Sequence, residues 1–276
     1  MIMINNLLTK PLNRILAIVL ISSMGLSGCD KEIVDLVYTL EDDKSLGLQL
    51  QNEIASNPDQ YPVLDRTEYA EAYAYLEDLR DQILASPDVR YKDEFTWEVH
   101  IIDADVLNAF AAPGGYIYFY TGIIKYLENE DDLMGVLGHE IAHADRRHSA
   151  KQMLETYGVQ TVISMALGDS PSQVAQLAAG LAGNAAALKF SRSDESEADS
   201  YSVDYLSVTP YRCDGAAVFF EKITAEGDGS SVPTFLSTHP NPETRVEDIR
   251  AKADELGCST EYYAPSSYEN FKAMLP

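Results

Sequence analysis

Three of the five histidines in this chain of 276 residues fall between His139 and His148, and a glutamate stands among them in Gly138-His139-Glu140-Ile141-Ala142-His143. On a helix, residues four apart lie only about 40° apart around the axis, so the imidazoles of His139 and His143 project from one face and can bind a single ion. Glu140 completes His-Glu-x-x-His, the pattern in which two histidines bind zinc and the glutamate activates a water. Leu133, Val136, Leu137 and Ile141 supply an apolar stripe that would bury this helix, and polar side chains on a buried helix need partners. His148 comes nine residues after His139, about 180° round a continuous helix. It is expected to point away from the ion and to act, with Arg146 and Arg147, as a cation at the helix end.

Two histidines leave zinc short of a protein ligand. The metzincin arrangement is excluded, because the positions three and six residues after His143 hold Arg146 and Ser149 instead of Gly and His. The best source is Ser191–Leu206, where Glu195 and Asp199 share one helical face and Glu197, about 200° from Glu195, faces away. Glu195 can bind the ion while Asp199 accepts a hydrogen bond from a ligand histidine's other nitrogen and fixes its tautomer. Taken alone, the segment reads as an acidic helix face in water; the pairing with the two histidines is what favours a ligand.

Several elements must position these residues. Leu46, Leu50 and Ile54 keep a helical spacing, and so do Tyr69, Tyr73, Leu76, Leu79 and Ile83. The stretch Thr96–Asp103 alternates as a strand does, and Tyr116–Gly122 is rich in aromatic and β-branched residues, so two or three strands are expected there. From Gly122 onward the pattern is helical with polar breaks. The small-residue stretch 158–190 is cut by Asp169–Gln173 into halves too short to span a bilayer, and a packed helical hairpin is the reading, with a cover over the active site as the weaker one. The fold class is α+β, mainly helical with one small sheet. Residues 42–276 read as a single domain after a tether at 29–41.

The first 28 residues carry Lys10 and Arg14, no acid, and an apolar run too short to cross a membrane as a helix, which is the pattern of an export signal. They end in Leu26-Ser27-Gly28-Cys29, which resembles a lipobox and would make Cys29 a lipid anchor; a chance cysteine after an ordinary signal is the alternative. Cys213 and Cys258 are then an even pair in an oxidising compartment, read as a disulfide or else as two buried thiols. Losing the signal takes the formal charge from −24 to −26. Nucleic acid is an improbable partner for such a chain, because binding it needs a basic surface. The excess acid would also repel an anionic membrane, leaving the lipid as the main attachment.

The two helical motifs, with Asn108–Gly122 before them and Ser237–Arg245 after them, resemble the gluzincin metallopeptidases of the CAAX prenyl protease and HtpX family, most closely its bacterial envelope lipoproteins. The resemblance implies a zincin-type fold, one zinc held by His139, His143 and Glu195, Glu140 as general base and Asp199 behind a ligand. It also places His239 near the site, either stabilising the oxyanion or capping the zinc as a reversible fourth ligand; a turn residue ahead of a helix capped by Asn241, with Pro242 at its first position, is the bland reading. Arg245 would sit in that helix's first turn, structural or facing substrate. Asn108, Ala109, Phe110 and Ala111 are expected at a sheet edge beside the cleft, where an extended polypeptide can add as a strand. With no multi-spanning segments, cleavage of prenylated peptides is in doubt.

The expected function is a zinc-dependent endopeptidase of the bacterial envelope that acts on misfolded or unfolded proteins, facing the periplasm from the outer or inner membrane. The rival is a chaperone or assembly factor, working beside outer-membrane assembly machinery with its proteolysis latent.

Overall fold

The computed structural model describes residues 38–182, 189–226, 234–240, 244–263 and 267–276. The expected export signal, Cys29, and Asn241 and Pro242 lie outside them. Helix α1 (Leu40–Ala55) starts at a capping box of Thr39 and Asp42, and buries Leu46, Leu50 and Ile54. Helix α2 (Ala70–Leu84) buries Tyr73, Leu76, Leu79 and Ile83, the helical spacing read from the sequence.

Strands β1 (Glu98–Ile102), β2 (Ala109–Ala112) and β3 (Tyr116–Tyr120) form one sheet in the order β1-β3-β2. β1 runs parallel to β3 and β2 antiparallel to it, so the Ala109–Ala112 stretch is a sheet edge. The turn between β2 and β3 holds Gly114 and Gly115 at φ 76° and 88°, a left-handed geometry that side chains with a Cβ resist. Alternation along the strands does not sort core from solvent. Val99, Ile101, Ile117 and Phe119 enter one apolar cluster, and Phe110, Tyr116, Tyr118 and Tyr120 enter a second on the opposite face.

After the short α3 (Thr121–Tyr126) comes α4 (Glu130–Asp145), which carries the histidine pair and is buried at every position. A Cβ on Gly135 would stand 2.3 Å from the backbone nitrogen of Ala216, so only glycine lets the backbone at Gly215 and Ala216 approach this closely. Arg147 follows at φ 61°, ψ 30°, and ends the helix. It is held there by Asp43 Oδ2, 2.5 Å from its Nε, and by the Tyr38 carbonyl, which accepts from Nη2 at 2.8 Å.

Helices α5 (His148–Tyr157), α6 (Val159–Ala166) and α7 (Pro171–Ala182) come next, and α6 with α7 is the expected hairpin. Among the described residues no helix is long and apolar enough to cross a membrane. Helix α8 (Arg192–Leu206) opens at a capping box of Ser191 and Asp194 and packs along α4. Then follow α9 (Gly215–Glu226), α10 (Thr234–Thr238), α11 (Arg245–Leu256) and α12 (Ser267–Lys272). Helix α11 is described from Arg245, with Thr244 before it. Cys213, ahead of α9, is bonded to Cys258, just after α11. The result is the α+β, mainly helical architecture expected, consistent with a zincin-type fold.

Candidate metal centre

The helical period sets the centre. One turn of α4 separates His139 from His143, and their Nε2 atoms lie 3.0 Å apart. Helix α8 crosses alongside and delivers Glu195, whose Oε1 is 3.4 Å from His143 Nε2 and whose Oε2 is 3.5 Å from His139 Nε2. His239, just beyond α10, adds its Nδ1, 3.3 Å from His139 Nε2 and 3.1 Å from Glu195 Oε1. Four donor atoms, from His139, His143, Glu195 and His239, thus lie within 4.8 Å of one another, all from buried residues.

These residues fit a zinc ion on their own chemistry. His239 Nε2 and both oxygens of Glu140 are buried without a hydrogen-bond partner, a state that costs free energy unless something else compensates it. Burial, followed by the neighbouring His139, pushes the His143 imidazole well below its usual pKa and so keeps the ring neutral, the form that binds a cation. Burial opposes a charge on Glu195, yet His239 and Arg245 hold its carboxylate well below the usual range.

Asp199 lies one turn past Glu195, with Oδ1 2.9 Å from His139 Nδ1, the nitrogen that faces away from the other donors. Arg245, the first residue of α11, is 2 % exposed. It donates from Nε and Nη2 to the two Asp199 oxygens at 2.5 and 2.8 Å, and Nη2 also reaches Glu195 Oε2 at 2.8 Å. Its guanidinium lies 3.7 Å over the Phe220 ring. Its Nη2 also lies 3.1 Å from His139 Nε2, so Arg245 is buried against the donor group itself.

Glu140 points into the same space. Its Oε1 is 3.6 Å from His239 Nε2, and neither of its oxygens has a hydrogen-bond partner. Burial raises the Glu140 carboxyl above its ordinary pKa, against the pull of His239 and His139.

His148 departs from expectation. The left-handed Arg147 breaks the helix, so the arithmetic of a continuous helix fails and His148 turns back toward the site. Its Nδ1 lies 3.0 Å from His143 Nδ1 and its Nε2 lies 3.2 Å from Glu197 Oε2. Glu197 is not among the four donors and serves this histidine instead. Phe190 was not singled out by the sequence at all; it stacks on His143 with ring centroids 4.0 Å apart.

The site is closed. His139, Glu140, His143, Glu195 and His239 are each 0 % exposed. The edge strand is covered too, with Asn108, Ala109, Phe110 and Ala111 all buried and the outward Ala111 carbonyl accepting from Ser149 Oγ at 2.7 Å. Between this strand, Phe190 and His239 remains a cavity of about 10 Å³, room for about one water.

The sequence model of peptidase family M48 matches residues 70–253, which include α4, α8 and the first turns of α11. The chain belongs to peptidase family M48. Among M48 relatives it is 34 % identical over 157 residues to the mitochondrial metalloendopeptidase OMA1 of Schizosaccharomyces pombe, a match covering 56 % of this chain and 46 % of that one. It is 31 % identical over 166 residues to the β-barrel assembly-enhancing protease of Escherichia coli, covering 56 % and 34 %. With the metalloprotease YcaL of the same organism it shares 32 % over 151 residues, covering 52 % and 57 %. Each match therefore spans less than two thirds of the relative. The matched region contains the buried group of His139, His143 and Glu195, suited to one zinc ion.

Proposed function

We propose that the protein is a zinc endopeptidase of the bacterial envelope that hydrolyses misfolded or unfolded proteins, held closed at rest. The observation that carries this reading is the convergence of His139, His143 and Glu195 around one point, with both oxygens of Glu140 free beside it. Zinc held by these three residues would supply Lewis acidity toward a peptide carbonyl and toward a water. Glu140 takes the proton of that water and later returns it to the leaving amine. Burial raises its pKa above the ordinary carboxylate value, which favours taking up a proton. Asp199 holds His139 in the tautomer that leaves Nε2 free, and Arg245 holds Asp199.

His239 acts in this reading as the reversible fourth ligand, not as the oxyanion donor, since its Nδ1 already lies among the other donors. Substrate adds along Asn108–Ala111 as an extra strand once Ser149 and Phe190 have moved aside, and such pairing selects extended, unfolded chains over a tight consensus sequence. Within the family we place the chain with the envelope lipoproteins, residues 1–28 being the export signal, Cys29 the lipid anchor and 42–276 the peptidase domain. The small Ser27 and Gly28 before Cys29 and the likeness to the β-barrel assembly-enhancing protease support this placement.

The closed site favours a second role, in which the resting form works as a chaperone or assembly factor beside outer-membrane assembly machinery. Glu140→Gln separates the two. Zinc uptake should persist while casein cleavage falls about 100- to 10,000-fold, the usual worth of a general base. Undiminished cleavage by this variant would remove the endopeptidase mechanism, and a cellular role that survives the substitution would be the non-proteolytic one.

A further inference from the structure

His148 is 2 % exposed, and both of its ring nitrogens are engaged. If His143 presents Nε2 to an ion, as the convergence of donor atoms requires, the single hydrogen of its neutral ring sits on Nδ1. Among the described residues that hydrogen has one neighbour to go to, His148 Nδ1 at 3.0 Å, which must therefore accept. A neutral His148 then carries its own hydrogen on Nε2 and donates it to Glu197 Oε2 at 3.2 Å. Glu197 is oriented in turn by Arg146, whose Nε donates to the other carboxylate oxygen at 3.0 Å, and Arg146 lies 4.1 Å over the Tyr201 ring. Asp194 cannot replace Glu197, because its nearer oxygen is 3.9 Å from His148 Nε2 and is bonded by Lys151 at 2.7 Å.

The two ligand rings are thus held by different devices. His139 leans on a carboxylate directly, through Asp199, while His143 leans on a second imidazole that leans on a carboxylate. Phe190 fixes the plane of the His143 ring by stacking, but a stacked ring can still turn over within its plane. A hydrogen bond to one edge stops that.

We propose that His148, oriented by Glu197, is the positioning residue for His143: it fixes the tautomer and rotation that leave Nε2 free for the metal. The inference rests on the metal site proposed above. The break at Arg147 is what makes it possible, since a continuous helix would carry His148 to the opposite face.

The test uses the full chain, with zinc affinity read by competition against a chromophoric chelator and ligand geometry read from the visible spectrum of the cobalt(II) form. His148→Phe removes the acceptor and keeps a ring, and should weaken zinc about 10- to 100-fold, the usual cost of losing such a partner, with an altered cobalt spectrum. His148→Gln, whose amide oxygen can still accept from His143 Nδ1, should recover most of the affinity and the spectrum. Glu197→Ala lies at a partly exposed side chain and carries the test if the ring substitution does not fold; it too should weaken zinc and shift the spectrum. Wild-type affinity and spectrum in His148→Phe, or in Glu197→Ala, would overturn the proposal, as would a Gln variant as impaired as the Phe variant. A wild-type chain that takes up no zinc would instead overturn the metal site itself.

Discussion

The Nε2 of His239 faces Oε1 of Glu140 at 3.6 Å, and neither atom makes a hydrogen bond. The same ring presents Nδ1 to Glu195, so one imidazole stands between the base and the metal ligands. Removing it should free the corner where water and substrate must enter. His239→Ala is therefore expected to cleave casein faster than wild type, about tenfold if the open form makes up a tenth of the molecules. A fall in cleavage at unchanged zinc content would instead assign His239 to the oxyanion.

Arg245 is the buried cation between Asp199 and Glu195. Its loss leaves two buried carboxylates without their counter-charge, and breaking such a pair from one side costs about 3–5 kcal/mol. Arg245→Met keeps the bulk against Phe220 and should lower urea-unfolding stability by that amount in the metal-free protein. A change within experimental error would mean that the guanidinium is not the compensating charge.

Asp43 gives a prediction in pH. Burial pushes its carboxyl up to about 7 from 3.8, against the pull of Arg147. A carboxyl whose folded pKa is raised binds its proton more tightly in the native state. Its contribution to stability is therefore fully present below the unfolded value and fades as pH rises from 3.8 toward 7. Measured against Asp43→Asn, wild-type unfolding stability should decline across that window and run parallel outside it. The opposite slope would show that the ion pair with Arg147 outweighs burial.

The Cys213–Cys258 bond closes a loop of 45 residues. In the chain-entropy model that constraint is worth about 4 kcal/mol. Cys213→Ser with Cys258→Ser should lose stability of that order in unreduced samples, and wild type should match the double variant once a reductant is present. Equal stability of the two oxidised proteins would count against the bond.

What could be read from the chain followed from periodicity, and what could not followed from its interruption. The pairs His139/His143 and Glu195/Asp199 were legible because a helix brings residues four apart to one face, and both helices run unbroken through them. His148 was misplaced because one non-glycine residue, Arg147, takes a left-handed conformation that its bonds to Asp43 and Tyr38 sustain across a long stretch of sequence. Phe190 and the depth of Arg245 are tertiary facts. The strands were expected from β-branched and aromatic runs, but their alternation divides two cores, a distinction that needs the helices on both sides of the sheet.

Burial of every donor around the centre bears on when zinc can arrive. An ion cannot diffuse to a point that solvent does not reach, so loading must coincide with folding or with a later opening of the chain. Exchange of the ion with the surroundings is then paced by the opening motion.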